Sequence, residues 1–268
     1  MIALAVPGAF AAGLLSLTSC TSLPRPGDAG GGPASVSAGP DASALVAASA
    51  RQAGDPWRNA SRVVAAFSGR WSGAVEALQP VLVDSGFRKS SVETYDTRSG
   101  AVIQVHSGPA GTKLVERTAD GVTVRRNGRA ERKRGDLAAA ALVADAYRLF
   151  VFRASWLAAR GGDFQLLGRR RLAGEECWLV QAMVEPGFGF SERDWVIAWI
   201  GAETMRTHRV QLTLFGLEST AGADVDVTFS DWIDGPRGGE WPASYVERVR
   251  RPFDIMAHAW RLQSLRVN

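Results

Sequence analysis

Apolar residues fall along this chain in three rhythms. From Ile2 to Leu17 they run almost unbroken, and from Thr21 to Pro40 they give way largely to Pro, Gly, Ala and Ser. From Trp57 onward they come in short alternating runs parted by turn residues, the pattern of strands with one buried face. The first runs are Val63 to Trp71, Val81 to Val83, Val92 to Tyr95, Val102 to His106 and Leu114 to Arg117. A second group holds Phe164 to Gly168, Cys177 to Val184, Trp195 to Ile200, Thr207 to Phe215, Val225 to Phe229, Tyr245 to Val249 and Ala259 to Val267. Ser99-Gly100, Asp120-Gly121 and Asn127-Gly128 sit where hairpin turns are needed, which predicts an antiparallel meander. Alternation from Asp224 to Phe229 turns Val225, Val227 and Phe229 inward and leaves Asp224 and Asp226 on a solvated face. Around Trp195 to Ile200 both faces are apolar, so that strand is expected to be covered on both sides.

Two stretches carry the helical period instead. Asp41 is placed to cap a helix through Leu45, Val46 and Ala50 that stops at Gly54-Asp55-Pro56. Leu137 to Ala159 predicts one long helix, capped by Asp136 and stopped by Gly161-Gly162. Its apolar residues leave little polar surface, so it needs cover on more than one side. The expected class is mainly β (α+β), a sheet with a helical insertion. On that helix Tyr147, Phe150, Val151 and Ala154 share one side, and Phe152 and Trp156 form a second pair. The pattern leaves open which stripe would face a cavity. From the sheet, Trp195, Ile197 and Trp199 share a face and are expected to form the floor.

The segment Leu17-Thr18-Ser19-Cys20 resembles the lipobox of bacterial lipoproteins. The resemblance implies a signal peptide over 1–19, removal of that peptide, and acylation of Cys20. The physical pattern agrees, because Ala3 to Leu17 has the length of a signal-peptide core and is short for a membrane span. No Lys or Arg precedes the apolar run, a departure from the usual charged start. Acyl chains contribute about 0.8 kcal/mol per buried CH₂, so two or more give a stable anchor where one does not. Residues 20–41 then read as lipidated cysteine plus flexible tether, with a reach of a few tens of ångströms at ~5–6 Å × √n. Residues 42–268 form the body. Thr21 after the cysteine, under the proteobacterial sorting rule, implies the outer membrane, facing the periplasm.

Charge and chemistry narrow the picture further. The formal net charge is +4, yet lysine occurs only at Lys89, Lys113 and Lys133. The densest basic cluster, Arg125, Arg126, Arg129, Arg132, Lys133 and Arg134, surrounds Asn127-Gly128. It reads as a solvated hairpin, with contact to anionic lipid headgroups as the functional alternative and no nucleic-acid partner expected. With Cys20 acylated, Cys177 has no disulfide partner and reads as a small buried hydrophobe. His106, His208 and His258 lack metal-ligand spacing, and no G-x-S-x-G elbow or phosphate-binding loop is present. Neither Glu175-Glu176 nor Asp224 with Asp226 has an evident apolar pocket around it. No catalytic residue, cofactor or metal is expected, and most of the nine tryptophans read as core.

Two phrases carry a wider likeness: Leu172-Ala173-Gly174-Glu175-Glu176-Cys177-Trp178-Leu179-Val180, and Trp199-Ile200-Gly201-Ala202-Glu203-Thr204 running on to Arg209-Val210. With Val227-Thr228-Phe229-Ser230-Asp231-Trp232 they resemble the LolA/LolB-like lipoprotein-carrier superfamily, over residues 42–268. Gly201 stands where that family usually has Asp in a turn. The resemblance implies a curved antiparallel half-barrel sheet with a helical lid over an apolar, acyl-chain-binding face. The expected function is therefore a membrane-anchored, monomeric envelope lipoprotein that binds or transfers a hydrophobic ligand, whether acyl chain, lipid or lipoprotein. Its ligand-lining residues would be Tyr147, Phe150, Val151, Phe152, Trp156, Trp195, Ile197 and Trp199. A non-enzymatic structural or protein-interaction role in the envelope is the alternative.

Overall fold

A computed structural model describes residues 24–25, 39–220 and 222–268. Cys20, the apolar segment before it and most of the expected tether lie outside the described residues. The first meander comprises β1 (Arg62–Trp71), β2 (Ser90–Asp96), β3 (Val102–Gly108), β4 (Gly111–Thr118), β5 (Gly121–Arg126) and β6 (Arg129–Ala130). The second comprises β7 (Phe164–Leu172), β8 (Glu175–Val184), β9 (Asp194–Gly201), β10 (Thr207–Leu214), β11 (Ala223–Asp234), β12 (Glu240–Arg251) and β13 (Ile255–Val267). Both belong to one 13-stranded sheet, ordered β6-β5-β4-β3-β2-β1-β13-β12-β11-β10-β9-β8-β7. The body's first and last strands thus pair at the middle, from Val63 with Val267 to Trp71 with His258.

The sheet does not close, because β6 and β7 remain its two edges. It curves into a half-barrel, as expected. Register shifts interrupt β1, β7, β10, β11 and β12, and such irregularities bend a strand and increase its local twist.

On the concave side lie α1 (Ala42–Gln52), α2 (Pro56–Asn59), α5 (Arg134–Phe152) and α6 (Ala154–Arg160); α3 (Gly73–Leu78) and α4 (Pro80–Val83) follow directly on β1. As predicted, Asp41 caps α1, its carboxylate accepting from the Ser43 N–H at 3.2 Å. The run Val81 to Val83 is not a strand but α4. Ser72 caps α3 through the Val75 N–H, and Pro80 opens α4, where its missing N–H costs nothing. A three-residue apolar run has no measurable period, so the punctuation around it decides.

The long helix also differs from its expected bounds. It begins at Arg134, ahead of Asp136, and breaks at Arg153, whose φ is +51° and ψ −126°. No Gly or Pro marks this break. Tertiary contacts hold it: Arg153 is 2% exposed, donates to the Val151 carbonyl at 2.8 Å, and lies among the rings of Phe229, Trp232 and Trp241. Burial lowers its pKa to about 10, which leaves the guanidinium charged at neutral pH.

α5 contacts β3, β4 and β5 on one side, and the loop between β8 and β9 folds over another. There Gly189, at φ +64°, lies so close to Leu142 that a Cβ would come within 3.1 Å of its backbone. Asp145 ties the two together, accepting from the Gly189 N–H at 2.9 Å and from Arg117 and Arg148. This meets the need for cover on more than one side.

Asp224 and Asp226 are not solvated. Both are buried, Asp224 against Arg251 at 2.5 Å and Arg25 at 3.4 Å, and Asp226 against Arg250 and Arg209. Alternation separated the two faces correctly. It carries no information on what covers the outer one, which holds a second apolar cluster of Cys177, Leu179, Ile197 and Trp199. Of the expected tether, Pro24 and Arg25 reach this side: the Pro24 carbonyl accepts from Gln211 at 3.4 Å and Arg25 donates to the Gly222 carbonyl.

Candidate functional site

The space between lid and sheet is filled. Tyr147 and Phe150 pack on Trp260 of β13, with ring centroids 5.3 and 6.1 Å from it. Phe152 meets Trp57, Tyr95 and Trp241 edge-on, Val151 is 1% exposed, and Trp156 lies against Phe188 of the covering loop. A hollow beside Tyr147 and Trp260 measures about 20 Å³, room for a single water. Gly69 shows how tight the fit is, since a Cβ there would come within 2.6 Å of the Trp260 Cβ and 2.8 Å of His258 Nε2.

The proposed floor faces the other way. Val196, Ala198 and Ile200 of β9 join the core beneath the helices. Ile197 and Trp199 pack with Cys177 and Leu179 on the convex side, where alternation also puts half-buried Trp195. Trp199 donates to Gln211 at 2.6 Å and lies under Arg209. A period of two says which residues share a face; where both faces are apolar it does not say which one is concave.

A groove of about 680 Å³ lies at one end of β1 and β10 to β13, roofed by α3 and α4. Val75, Leu78 and Leu82 come from the roof, and Val225, Val249 and Ala257 from the sheet. Its size falls within the roughly 300–1,000 Å³ of ordinary small-molecule sites. None of the eight expected residues lines it. It escaped the sequence reading because α3 and α4 were not recognised; Ser72 and Pro80 were the available signals.

Polar side chains pack behind Trp71, away from the groove. Trp71 stacks on His258 with centroids 4.0 Å apart, and Arg88 lies over the Trp71 ring. Arg88 donates to the Leu82 carbonyl at 2.8 Å and to the Tyr147 hydroxyl at 3.1 Å. Tyr147 therefore donates its own proton to His258 Nδ1, at 3.1 Å, which puts the remaining imidazole proton on Nε2. Burial, helped by the charge of Arg88, holds the His258 pKa well below its usual value and keeps the ring neutral. Also on the groove wall, on the far side of β13 from Trp71, is Glu247, which faces the same side of the sheet as its partner Val227 and as Val249. Burial is the main cause that raises its pKa to about 7; Arg88 opposes the shift and Asp226 adds to it.

Among the described residues no three His, Cys, Asp or Glu side chains converge as a metal site. His106 and His258 both line the small hollow, whereas His208 lies elsewhere and pairs with Glu175 at 2.9 Å. Cys177 is fully buried, and burial pushes its thiol pKa up to about 11.

The groove opens at the end of the sheet where β1, β3, β5, β8, β10 and β12 finish. Connections at this end carry exposed apolar side chains: Leu78 and Phe253 are each 60% exposed, Phe190 53% and Phe215 52%. The Asn127-Gly128 turn is at the same end. There Arg125, Arg129, Arg132, Lys133 and Arg134 are exposed, as expected of a solvated hairpin. Arg126 is the exception, held by Asp84, Glu131 and Asp136 at 2.9, 2.6 and 2.7 Å. No helix of the described residues is long and apolar enough to cross a membrane.

No protein-family model and no curated protein matches the sequence. Solved structures do. A LolA superfamily protein from Nitrosomonas europaea has a TM-score of 0.48 at 11% identity, over 86% of this chain and 94% of the other. A DUF1329 family protein from Desulfovibrio piger has 0.49 at 11% identity, over 85% and 93%. The Mycobacterium tuberculosis lipoprotein LppX has 0.27 at 15% identity, over 64% and 88%. The open antiparallel sheet and the helices over its concave side are the arrangement expected from the sequence.

Proposed function

We propose that this protein is an envelope lipoprotein, anchored through acyl chains on Cys20, that takes a hydrophobic ligand such as an acyl chain or lipid into the groove under α3 and α4. The observation that carries the reading is the groove itself: about 680 Å³, largely apolar, and open at one end of the sheet. Buried apolar area stabilises a ligand by roughly 25 cal/mol per Å², so a chain laid along such a wall binds without any charge contact. The expected outer-membrane, periplasm-facing location remains part of the proposal.

Filling the groove tests it. In a soluble form lacking residues 1–20, Ala257→Trp is expected to lower uptake of a fluorescent fatty acid by about tenfold or more, the scale of losing ~1.4 kcal/mol. Equal uptake by both proteins would remove the groove as the site. Uptake by neither would favour the structural or interaction role.

The rim gives the body a direction. Aromatic and apolar tips beside clustered arginines suit an anionic lipid surface, where rings settle at headgroup level and each basic residue contributes about 1 kcal/mol. We read the groove as opening toward the bilayer. Wild type is expected in the membrane fraction and Cys20→Ala in the soluble fraction. An uncleaved, soluble product from both would sink the anchor.

A further inference from the structure

Glu247 is enclosed by protein, and it keeps accessible surface where its carboxylate meets the groove. No Lys, Arg or His among the described residues lies within ion-pair distance of it, and no hydrogen-bond donor reaches it. The charged groups around it are otherwise engaged. Arg88, on the segment after α4, is held by the Leu82 carbonyl, the Tyr147 hydroxyl and the Trp71 ring. His258, directly opposite on β13, is neutral and bonded through Nδ1 to Tyr147 of α5, while its unpartnered Nε2 lies by Gly69. Asp226 of β11 belongs to the other face and pairs with Arg250. At the rim, Arg25 and Arg251 bind Asp224. An acid without a donor at the inner end of an apolar groove is costly unless a ligand supplies one.

Resting on the groove as the binding site, we propose that its ligand is an amphiphile inserted head first, whose polar end donates hydrogen bonds to Glu247, an ammonium or amino-alcohol head rather than a free carboxylate. The apolar tail then lies along Val75, Leu82, Val225 and Val249 toward the exposed Leu78 and Phe253. An ammonium supplies the donors that Glu247 lacks. A fatty acid in the same orientation sets carboxylate against carboxylate.

The sign of the pH dependence follows from the acid's raised pKa. Above about 7 Glu247 is mostly ionised and attracts a cationic head; below it the carboxyl is neutral and the preference fades.

The test is displacement of a fluorescent fatty-acid probe from the full chain in its Cys20→Ala form, using tetradecylamine, tetradecanol and tetradecanoic acid below their aggregation thresholds. At about pH 8 the amine is expected to bind at least about tenfold tighter than the acid, with the ratio falling below about threefold near pH 5.5. Glu247→Gln should abolish the preference at the higher pH and leave tetradecanol binding unchanged. Equal affinity for amine and acid, or a preference that survives Glu247→Gln, overturns the head-first assignment while the groove stands. Failure of the chain to take up the probe at all, with Ala257→Trp indistinguishable from it, overturns the groove and this inference together.

Discussion

Phe150→Ala is expected to destabilise the protein by about 3–5 kcal/mol, the usual cost of emptying a phenyl-sized space in a packed core. Phe150 is 3% exposed and packs against Tyr147 and Trp260, which stack on each other, and Trp260 is also stacked on Tyr245 and His258, so no neighbour is free to collapse into the space. The hollow nearby holds only about 20 Å³, and the surroundings offer no preformed void to share the loss. Uptake of a fatty acid by the folded variant should equal that of wild type, because Phe150 does not line the large groove. Denaturant unfolding and probe uptake, measured on the same preparation, check both halves. A small stability loss together with weakened uptake would mean that ligand enters between lid and sheet, and that the helix face read from the sequence is the binding face after all.

Asp145→Ala should cost a similar amount, about 3–5 kcal/mol, for a different reason: removing one partner strands the charges that it neutralised. Asp145 is 5% exposed and accepts from Arg117 Nη2 at 3.0 Å, Arg148 Nη2 at 3.1 Å and the Gly189 N–H at 2.9 Å. Its loss leaves two arginines and a backbone amide without their acceptor, and it releases the loop between β8 and β9 from α5. Amide exchange at Gly189 is therefore expected to rise more than exchange in the centre of the sheet, alongside the drop in unfolding free energy. A loss under about 1 kcal/mol, with Gly189 still protected, would show that water or other side chains replace the carboxylate.

Both outcomes bear on how much a linear reading can see. The strands of the half-barrel were legible because one buried face imposes a period of two, and Ser99-Gly100, Asp120-Gly121 and Asn127-Gly128 sit at the turns that join β2 to β3, β4 to β5 and β5 to β6. The helix at residues 137–159 was legible as apolar on most sides, which is how α5 and α6 are buried. Its break was not, because the geometry at Arg153 depends on three rings and the Glu240 carbonyl, all distant in sequence. Trp195, Ile197 and Trp199 were grouped correctly on one face and given the wrong side of the sheet. Alternation fixes relative orientation within a strand, and curvature, a property of the whole sheet, decides which side is concave.

The groove lies entirely in that second category. Trp71, Val75, Leu82, Val225, Glu247 and Ala257 come from six separate elements, and no spacing relates them. Local periodicity, caps and turn chemistry determined the strands, the first helix and the mainly β class, because each depends on neighbours within a few residues. The pairing of β1 with β13, the packed lid, the burial of Asp224 and Asp226 by arginines, and the uncovered acid at the groove's inner end were decided only in three dimensions. Each depends on which distant segments meet, and hydrophobic burial, being non-directional, writes no partner into the sequence.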